Sequence, residues 1–366
     1  MFIYAKDYGL TGECPRKDTR AIQRALNAGR YVPTTVFIPK GTYYITRALV
    51  IHAHTTLILD DDTVLIRKSN DTLLKNGYRF KKYYGYEGKG HITIYGGTFD
   101  MNGQHINDSN TALCLGHAKH LNVVNVTFKN IVGGHAIDAC GVFDLFVSGC
   151  RFLGFRDDTG TRFFSEAIQL DIQVPGAFPK FGAADGTITQ HVWITDCYFG
   201  NSEAPHMKPW NRAIGGHASR YNQFYTSIYI LNNTFEGMQD YAVTPLKASK
   251  LYIAHNVFRD CAGGIRLLAA TDDQGYSLDG FQRGTQAGRH LYMYKNDFEG
   301  TMEKDVIHIR SYDGVYHEDV GILYNHIHTK TEAHMHLQDI SNLFIDCEMW
   351  DEIHKKHRHI RGLNLL

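Results

Sequence analysis

One short phrase returns along this chain, and repetition of that kind restricts the fold more than any other feature of a sequence. An apolar alternating run ends in a polar or cysteine residue, followed two positions later by an aromatic. The phrase reads NVTF ending at Phe128, GCRF at Phe152, DCYF at Phe199, NNTF at Phe235, HNVF at Phe258 and KNDF at Phe298. It continues as YNHI at Ile327 and DCEM at Met349. Unrelated strand ends would not keep one register. Stacked parallel coils would, because like positions of successive strands form ladders at roughly 4.8 Å. The reading is an all-β chain, a single-stranded right-handed parallel β-helix (a solenoid) with a short N-terminal capping helix. The Phe positions form an interior stack. Val126, Cys150, Cys197, Asn233, Asn256, Asn296, Asn325 and Cys347 form a second column, with amides bonding along it and thiols filling small apolar gaps.

A second alignment gives the strand that opens each coil: HAIDAC at 135, EAIQLD at 166, RAIGGH at 212, YAVTPL at 241, GGIRLL at 263, DVIHIR at 305 and AHMHLQ at 333. Alternation points Ile137, Ile168, Ile214, Val243, Ile265, Ile307 and Met335 inward and leaves the residues between them on one outer face. Near the N-terminus, Asp18 to Asn27 reads as an amphipathic helix started by Asp18 and stopped near Gly29. It would cover the open end of the first coil, with strands at 35–45 and 56–66 following. The organisation expected is a cap with first strands at 1–50, a β-helix at 51–350 and a basic tail at 351–366. Long loops are expected at 155–165, 173–191, 201–211, 218–226 and 269–289.

Composition narrows the partners. With 43% hydrophobic and 21% charged residues the chain is globular rather than disordered. Its zero net charge points to neither nucleic acid nor an anionic membrane surface. The 21 histidines are scattered, not at zinc-ligand spacing, so neither metal nor cofactor is expected. Seven cysteines without a framework read as reduced thiols, with Cys150 and Cys197 buried neighbours. Met1-Phe2-Ile3-Tyr4 resembles no secretory signal and no apolar run spans a bilayer, so cytoplasmic synthesis is expected, with release by lysis or on a virion.

DYGLTGE at 7–13, DTRAIQRAL at 18–26 and VFIPKGTYYI at 36–45 together resemble the N-terminal cap of pectate-lyase-like β-helix proteins. GGTFDMNGQ at 96–104 is similar to a phrase of polygalacturonases and phage tailspike depolymerases. The resemblance covers nearly the whole chain at the level of fold. It implies a polysaccharide in a groove along the helix and, by the phage relatives, a homotrimer. Those folds host hydrolases, lyases, epimerases and adhesins. The polygalacturonase strands carry N-T-D, an Asp pair, G-H-G and R-I-K. Here HAID, Ser165-Glu166, RAIGGH and GGIRLL fall in the same order, with His135 for the first Asp, Arg212 at the histidine's position and Arg266 one coil late.

The middle coils hold the densest polar set. By register Asp171 is expected beside His217, Glu166 between His135 and Arg212, and Asp138 diagonal to Asp171. Glycoside hydrolysis needs one protonated and one ionised carboxyl across the scissile bond. Glu166 and Asp171 are the expected principal carboxyls, with Asp138 as second choice and His217 tuning protonation. Glu166 falls on the inward parity, but as the first residue of its strand it lies at a turn and can reach the groove. Arg212, His135, Gln169 and Arg266 are expected to hold substrate. The loop aromatics Trp210 and Tyr221, with Phe155, Phe163, Phe164, Phe178, Phe181, Phe224, Tyr225, Tyr276 and Phe281, are expected to wall the groove. An exposed hydrogen-bonded ladder and aromatics that only shield loop packing are the structural alternatives. Asp60-Asp61-Asp62 reads as a solvated turn, and Asp157-Asp158 as a loop pair preceding Glu166 that could join the site. His308, Arg310, His334 and His336 could extend the groove toward an acidic sugar. The run His354 to His359 reads as a solvated or subunit-contacting tail. The leading reading is a polysaccharide depolymerase of the glycoside hydrolase type. The alternatives are a lyase or C5-epimerase on a uronic-acid polymer and a non-catalytic glycan-binding tail protein.

Overall fold

The structure, a computed structural model, describes residues 1–271 and 284–366. Every strand-to-strand ladder between its named strands is parallel, and the ladders run along three faces. One turn of the chain shows the plan. Ile137–Ser148 crosses two faces, Arg151–Arg156 forms the third, and the chain returns to the first as Glu166–Asp171, paired with Ile137–Cys140 one level below. Each coil therefore sits on the last in a parallel β-helix.

The interior follows the repeated phrase. Phe128, Phe152, Phe199, Phe235, Phe258 and Phe298 are all fully buried. Their rings stack at 5.4, 4.6, 5.0, 4.9 and 4.7 Å between centroids, and Phe99 continues the column edge-on. Beside them the amides make a continuous ladder. The backbone N–H and Nδ2 of Asn233 both donate to Oδ1 of Asn256, which repeats this to Asn296, as Asn296 does to Asn325. The remaining amide proton of each bonds a strand carbonyl, so a buried amide is satisfied at every level. The residue before the column is left-handed in coil after coil: Asn125, Gly149, Asp196, Asn232, His255, Lys295 and Tyr324, with φ between 48° and 63°. Asn, Gly and Asp tolerate that conformation best, which is why they recur there. Cys150 and Cys197 are buried and unpaired, as all seven cysteines are without disulfides.

Three expectations need correction. Asp18 does not start the helix, which runs Pro15–Ala28 with Cys14 at its N-cap. Asp18 lies buried in the first turn and turns its carboxylate back to accept N–H bonds from Thr11, Gly12 and Cys14, holding the preceding loop. The stop at Gly29 is as expected, and the buried face of the helix packs on the first strands. The DCEM phrase does not continue the column, because Cys347–Glu352 is a short helix and Cys347 is exposed. The basic run, expected as a solvated or subunit-contacting tail, is solvent-exposed but is a strand of the ladder. His354–Leu365 is a strand in register with His334–Ile345, and its exposed, charged edge ends the ladder. Of the expected long loops, 272–283, with Tyr276 and Phe281, lies outside the described residues.

Candidate functional site

Stacking in register aligns one outer row along the first face: Cys114, Asp138, Gln169, Gly215, Thr244 and then, on later coils, Arg266, His308 and His336. A neighbouring row at the start of each strand carries Glu166 beside Arg212. Gly215 opens the floor between them. A Cβ there would meet Thr244 Oγ1 at 2.3 Å and Glu166 Cγ at 3.2 Å, so the glycine lets the Glu166 chain lie over the outer face.

Glu166 is fully buried and surrounded by basic groups at ion-pair range. Arg212 Nη1 lies 3.6 Å from one oxygen, and His217 Nδ1 lies 3.7 Å from the other. These are longer than hydrogen bonds. His135 Nδ1 is 3.9 Å from the same oxygen but donates instead to the backbone carbonyl of Glu166 at 2.8 Å. Burial pushes His135 down to about 4, so it is neutral at pH 7 and forms no ion pair there. Burial alone would raise Glu166, but His217 above all overcomes it and holds the carboxyl below its usual range. The converse applies to His217: burial pulls it down, and Glu166 with Asp171 brings it above the ordinary histidine value.

The two aspartates go the other way. Burial, then the charge of Asp171, pushes Asp138 up to about 8. Its Oδ1 has no protein hydrogen-bond partner among the described residues. Asp171 is raised by burial, although it accepts bonds from Gln169 Nε2 at 2.6 Å, Ile172 N–H at 3.0 Å and the Tyr225 hydroxyl at 3.0 Å. The expectation that Asp171 lies beside His217 holds as a charge interaction, each shifting the other, but among the described residues the ion pair of His217 is with Glu166. The ladder ends at Gly215, and past that point His217 leaves the register and turns to Glu166.

Arg212 links this cluster to a second one. Its Nε donates to Asp240 Oδ2 at 2.9 Å, and Arg266 and Lys304 reach the same carboxylate at 3.6 and 2.5 Å. Burial would raise Asp240, but Lys304, Arg266 and Arg212 hold it below the usual carboxylate range. Sequence reasoning missed Asp240. The available signal was position: it precedes YAVTPL as Ser165 precedes EAIQLD, at the turn before a coil-opening strand.

Access is narrower than the row suggests. His135, Asp138, Glu166, Gln169, Asp171 and Arg212 are all buried, and His217, with 36% of its side chain exposed, is the member solvent reaches best. Phe164 leans edge-on against the His217 ring at 5.0 Å, with Arg162 over its outer side. Over the earlier coils, Phe178 and Phe181 pack with Tyr83, Cys114 and Cys140 into a small apolar cluster, so these two phenylalanines are packing rather than groove wall. Trp210 is corrected likewise. It is fully buried and stacked on Phe155 at 4.9 Å, because the 201–211 loop tucks the indole inward. Tyr225 is buried against Asp171, whereas Phe163 and Tyr221 stand exposed on their loops. Asp157 and Asp158 do not join the cluster: the first accepts four bonds from its own loop and the second pairs with Arg156 at 2.8 Å.

Residues 2–148 match the family described as rhamnogalacturonase A/epimerase, pectate lyase-like. The first part of the chain is thus similar to a pectate-lyase-like family, and the fold of the described residues is a parallel β-helix. Among curated proteins it is similar to the plasmin and fibronectin-binding protein A of Streptococcus pneumoniae, 30% identical over 267 residues. That match covers 64% of this chain and 36% of the relative, so the chain spans about a third of that protein's length. Among solved structures it is similar to PfbA, a surface adhesin of Streptococcus pneumoniae, with a TM-score of 0.77 and 23% identity, covering 100% of this chain and 92% of that one. A family 28 exopolygalacturonase of Yersinia enterocolitica superposes with a TM-score of 0.61 at 12% identity, covering 100% and 78% of the two chains. At those identities the structural likenesses establish the β-helix and leave the reaction to the site.

Proposed function

We propose that this protein acts on a polysaccharide laid along the first face, as a glycoside hydrolase centred on the Glu166 cluster. The observation that carries the proposal is that neighbouring buried carboxyls are pushed in opposite directions by their surroundings. Glu166 is held ionised while Asp138 and Asp171 are pushed toward their neutral forms. Hydrolysis of a glycosidic bond needs that asymmetry, one group to protonate the leaving oxygen and one to activate water or attack carbon. Glu166 and Asp171 are the principal carboxyls in this reading, with Asp138 second. His217, ion-paired to Glu166 and partly exposed, tunes the protonation of the cluster. Gln169, His135 and Arg212 hold the cluster in shape, while Arg266 and Tyr221 meet the glycan further along.

A right-handed coil belongs to the same proposal, since crossover connections between parallel strands are nearly always right-handed. So do action outside the cell that makes it and assembly as a homotrimer. A monomer mass by light scattering would remove the trimer.

Two observations favour a second reading, glycan or host-protein binding without cleavage. Glu166 and Asp171 have no exposed surface, and the relative of 30% identity is named for binding plasmin and fibronectin. Incubation with a panel of bacterial surface glycans and pectic polymers separates these outcomes. New reducing ends establish hydrolysis. An unsaturated uronate, seen by ultraviolet absorbance, establishes a lyase in its place, and retention on the glycan without products establishes binding alone.

A further inference from the structure

Three coils beyond the Glu166 cluster, two histidines far apart in sequence meet. His308 and His336 are register partners on adjacent strands, with ring centroids 4.5 Å apart and planes inclined by 31°. Asp305, at the turn three residues before His308, brings Oδ2 to 2.8 Å from His308 Nδ1. One ligand atom from each of the three lies within 4.8 Å of the others. Among the described residues this is the sole group of three or more His, Cys, Asp or Glu side chains so placed.

We propose that Asp305, His308 and His336 bind a divalent first-row transition-metal ion of the zinc class. The donor set decides the class. Two imidazoles and one carboxylate suit zinc, cobalt, nickel or copper, whereas calcium and magnesium take oxygen ligands throughout. The backbone makes the site at little cost, because strand spacing of roughly 4.8 Å already holds the two rings side by side. All three residues are half-buried, which lowers competition from water while leaving a path for the ion. An outer shell is also present. The Tyr241 hydroxyl donates to Asp305 Oδ2 at 3.2 Å, and Gln338 Oε1 lies 3.4 Å from His336 Nε2. Such partners orient metal ligands, and their loss weakens metal sites elsewhere.

The surrounding charge bears on what the metal would meet. Arg266 is the register partner of His308 on one side, and Lys356 is the partner of His336 on the other. Three protein ligands leave a coordination position open. With cations flanking it on the same outer row as Gly215 and Thr244, that position suits an anionic oxygen such as the carboxylate of an acidic sugar. The metal site itself does not depend on the hydrolase reading.

The test is titration of the tag-free, chelator-treated protein with Zn²⁺ by calorimetry, and with Co²⁺ by visible absorption. One equivalent of either ion is expected, with the intense absorption of low-coordinate cobalt. H308Q and H336Q should each weaken Zn²⁺ binding at least about tenfold, and D305N should do so with the least disturbance of packing. Unchanged circular dichroism and melting keep the comparison fair. A control lacking the exposed histidines of the last strand, H354Q/H357Q/H359Q, should bind as the parent does. Absence of stoichiometric binding overturns the proposal. So does binding that survives H308Q/H336Q, or binding that disappears with the control.

Discussion

The inside and the outside of the same coils are built on opposite rules. Along the interior, one residue type answers itself over successive levels: Phe on Phe from Phe128 to Phe298, Asn bonded to Asn from Asn233 to Asn325, a left-handed residue before the column. Along the outer row of the first face Asp138, Gln169, Gly215, Thr244, Arg266 and His308 succeed one another, and only His336 repeats the residue before it. Repetition lets each interior contact be made twice, above and below, so the ladder supplies stability without specifying chemistry. Variation on the outer row places unlike groups one strand spacing apart, which is how pKa values separate.

The largest effect expected from that contrast lies inside. Phe199 stacks between Phe152 and Phe235 and is fully buried, so Phe199→Ala should cost about 3–5 kcal/mol. Urea denaturation measures it. A loss below about 1 kcal/mol would mean that the coils do not depend on the column, and the contrast would collapse.

On the outer row the effect should appear in turnover. Glu166→Gln preserves shape but removes the charge that holds His217 up, so a glycan-cleaving activity should fall at least about 10²-fold. The His217 resonance should then titrate at lower pH, a shift that a purely structural role for Glu166 on the reacting side would not link to rate. Asp171→Asn should lower turnover comparably. Near-normal turnover in both variants, with the fold intact, moves the chemistry elsewhere.

Legibility follows the same division. The Phe and Asn columns could be read from sequence because a ladder repeats its residue, and the inward parity of Ile168, Ile214 and Ile265 follows from strand alternation. Where the chain leaves the ladder, parity no longer governs. His217 follows the end of its strand and pairs with Glu166 rather than Asp171. Trp210 reads as a groove platform because loop aromatics often are, yet burying an indole against Phe155 gains more than exposing it. The Asp305, His308 and His336 grouping was hidden for the converse reason. Ligands contributed by stacked coils show no zinc-like spacing along the sequence, although they are neighbours in space.

A smaller effect separates the two faces by pH. Burial, then the charge of Asp171, pushes the Asp138 carboxyl up to about 8 from an ordinary 3.8. A raised native value means the folded state holds the proton longer. Its contribution to stability is complete below pH 3.8 and is lost as the pH climbs through about 8. Relative to Asp138→Asn, the parent protein should therefore lose stability progressively across that window. Urea curves for both proteins at mildly acidic and mildly alkaline pH give the difference. Parallel curves would show that Asp138 is ionised in the native state, removing it from the proton-holding pair. The sign is opposite for Glu166, whose lowered value contributes stability above its ordinary range that is lost in acid.

The smallest effect tests how the groove is covered. Asp157 accepts bonds from the N–H groups of Thr159, Gly160 and Arg162 and from the Thr159 hydroxyl, and it touches no member of the cluster. Those bonds hold the turn that sets Arg162 over Phe164, and Phe164 against His217. Asp157→Asn keeps the size of the side chain but weakens a charged acceptor that burial opposes and four loop donors hold below the usual range. Loosening the turn should cost at most about 1 kcal/mol of global stability, as loop hydrogen bonds do. Its effect on turnover should stay below tenfold and appear in KM more than kcat, because the loop shapes entry and carries no proton. A loss as large as that of Glu166→Gln would place Asp157 among the reacting groups. An unchanged KM would show that the Phe164 loop does not gate the face it lies on.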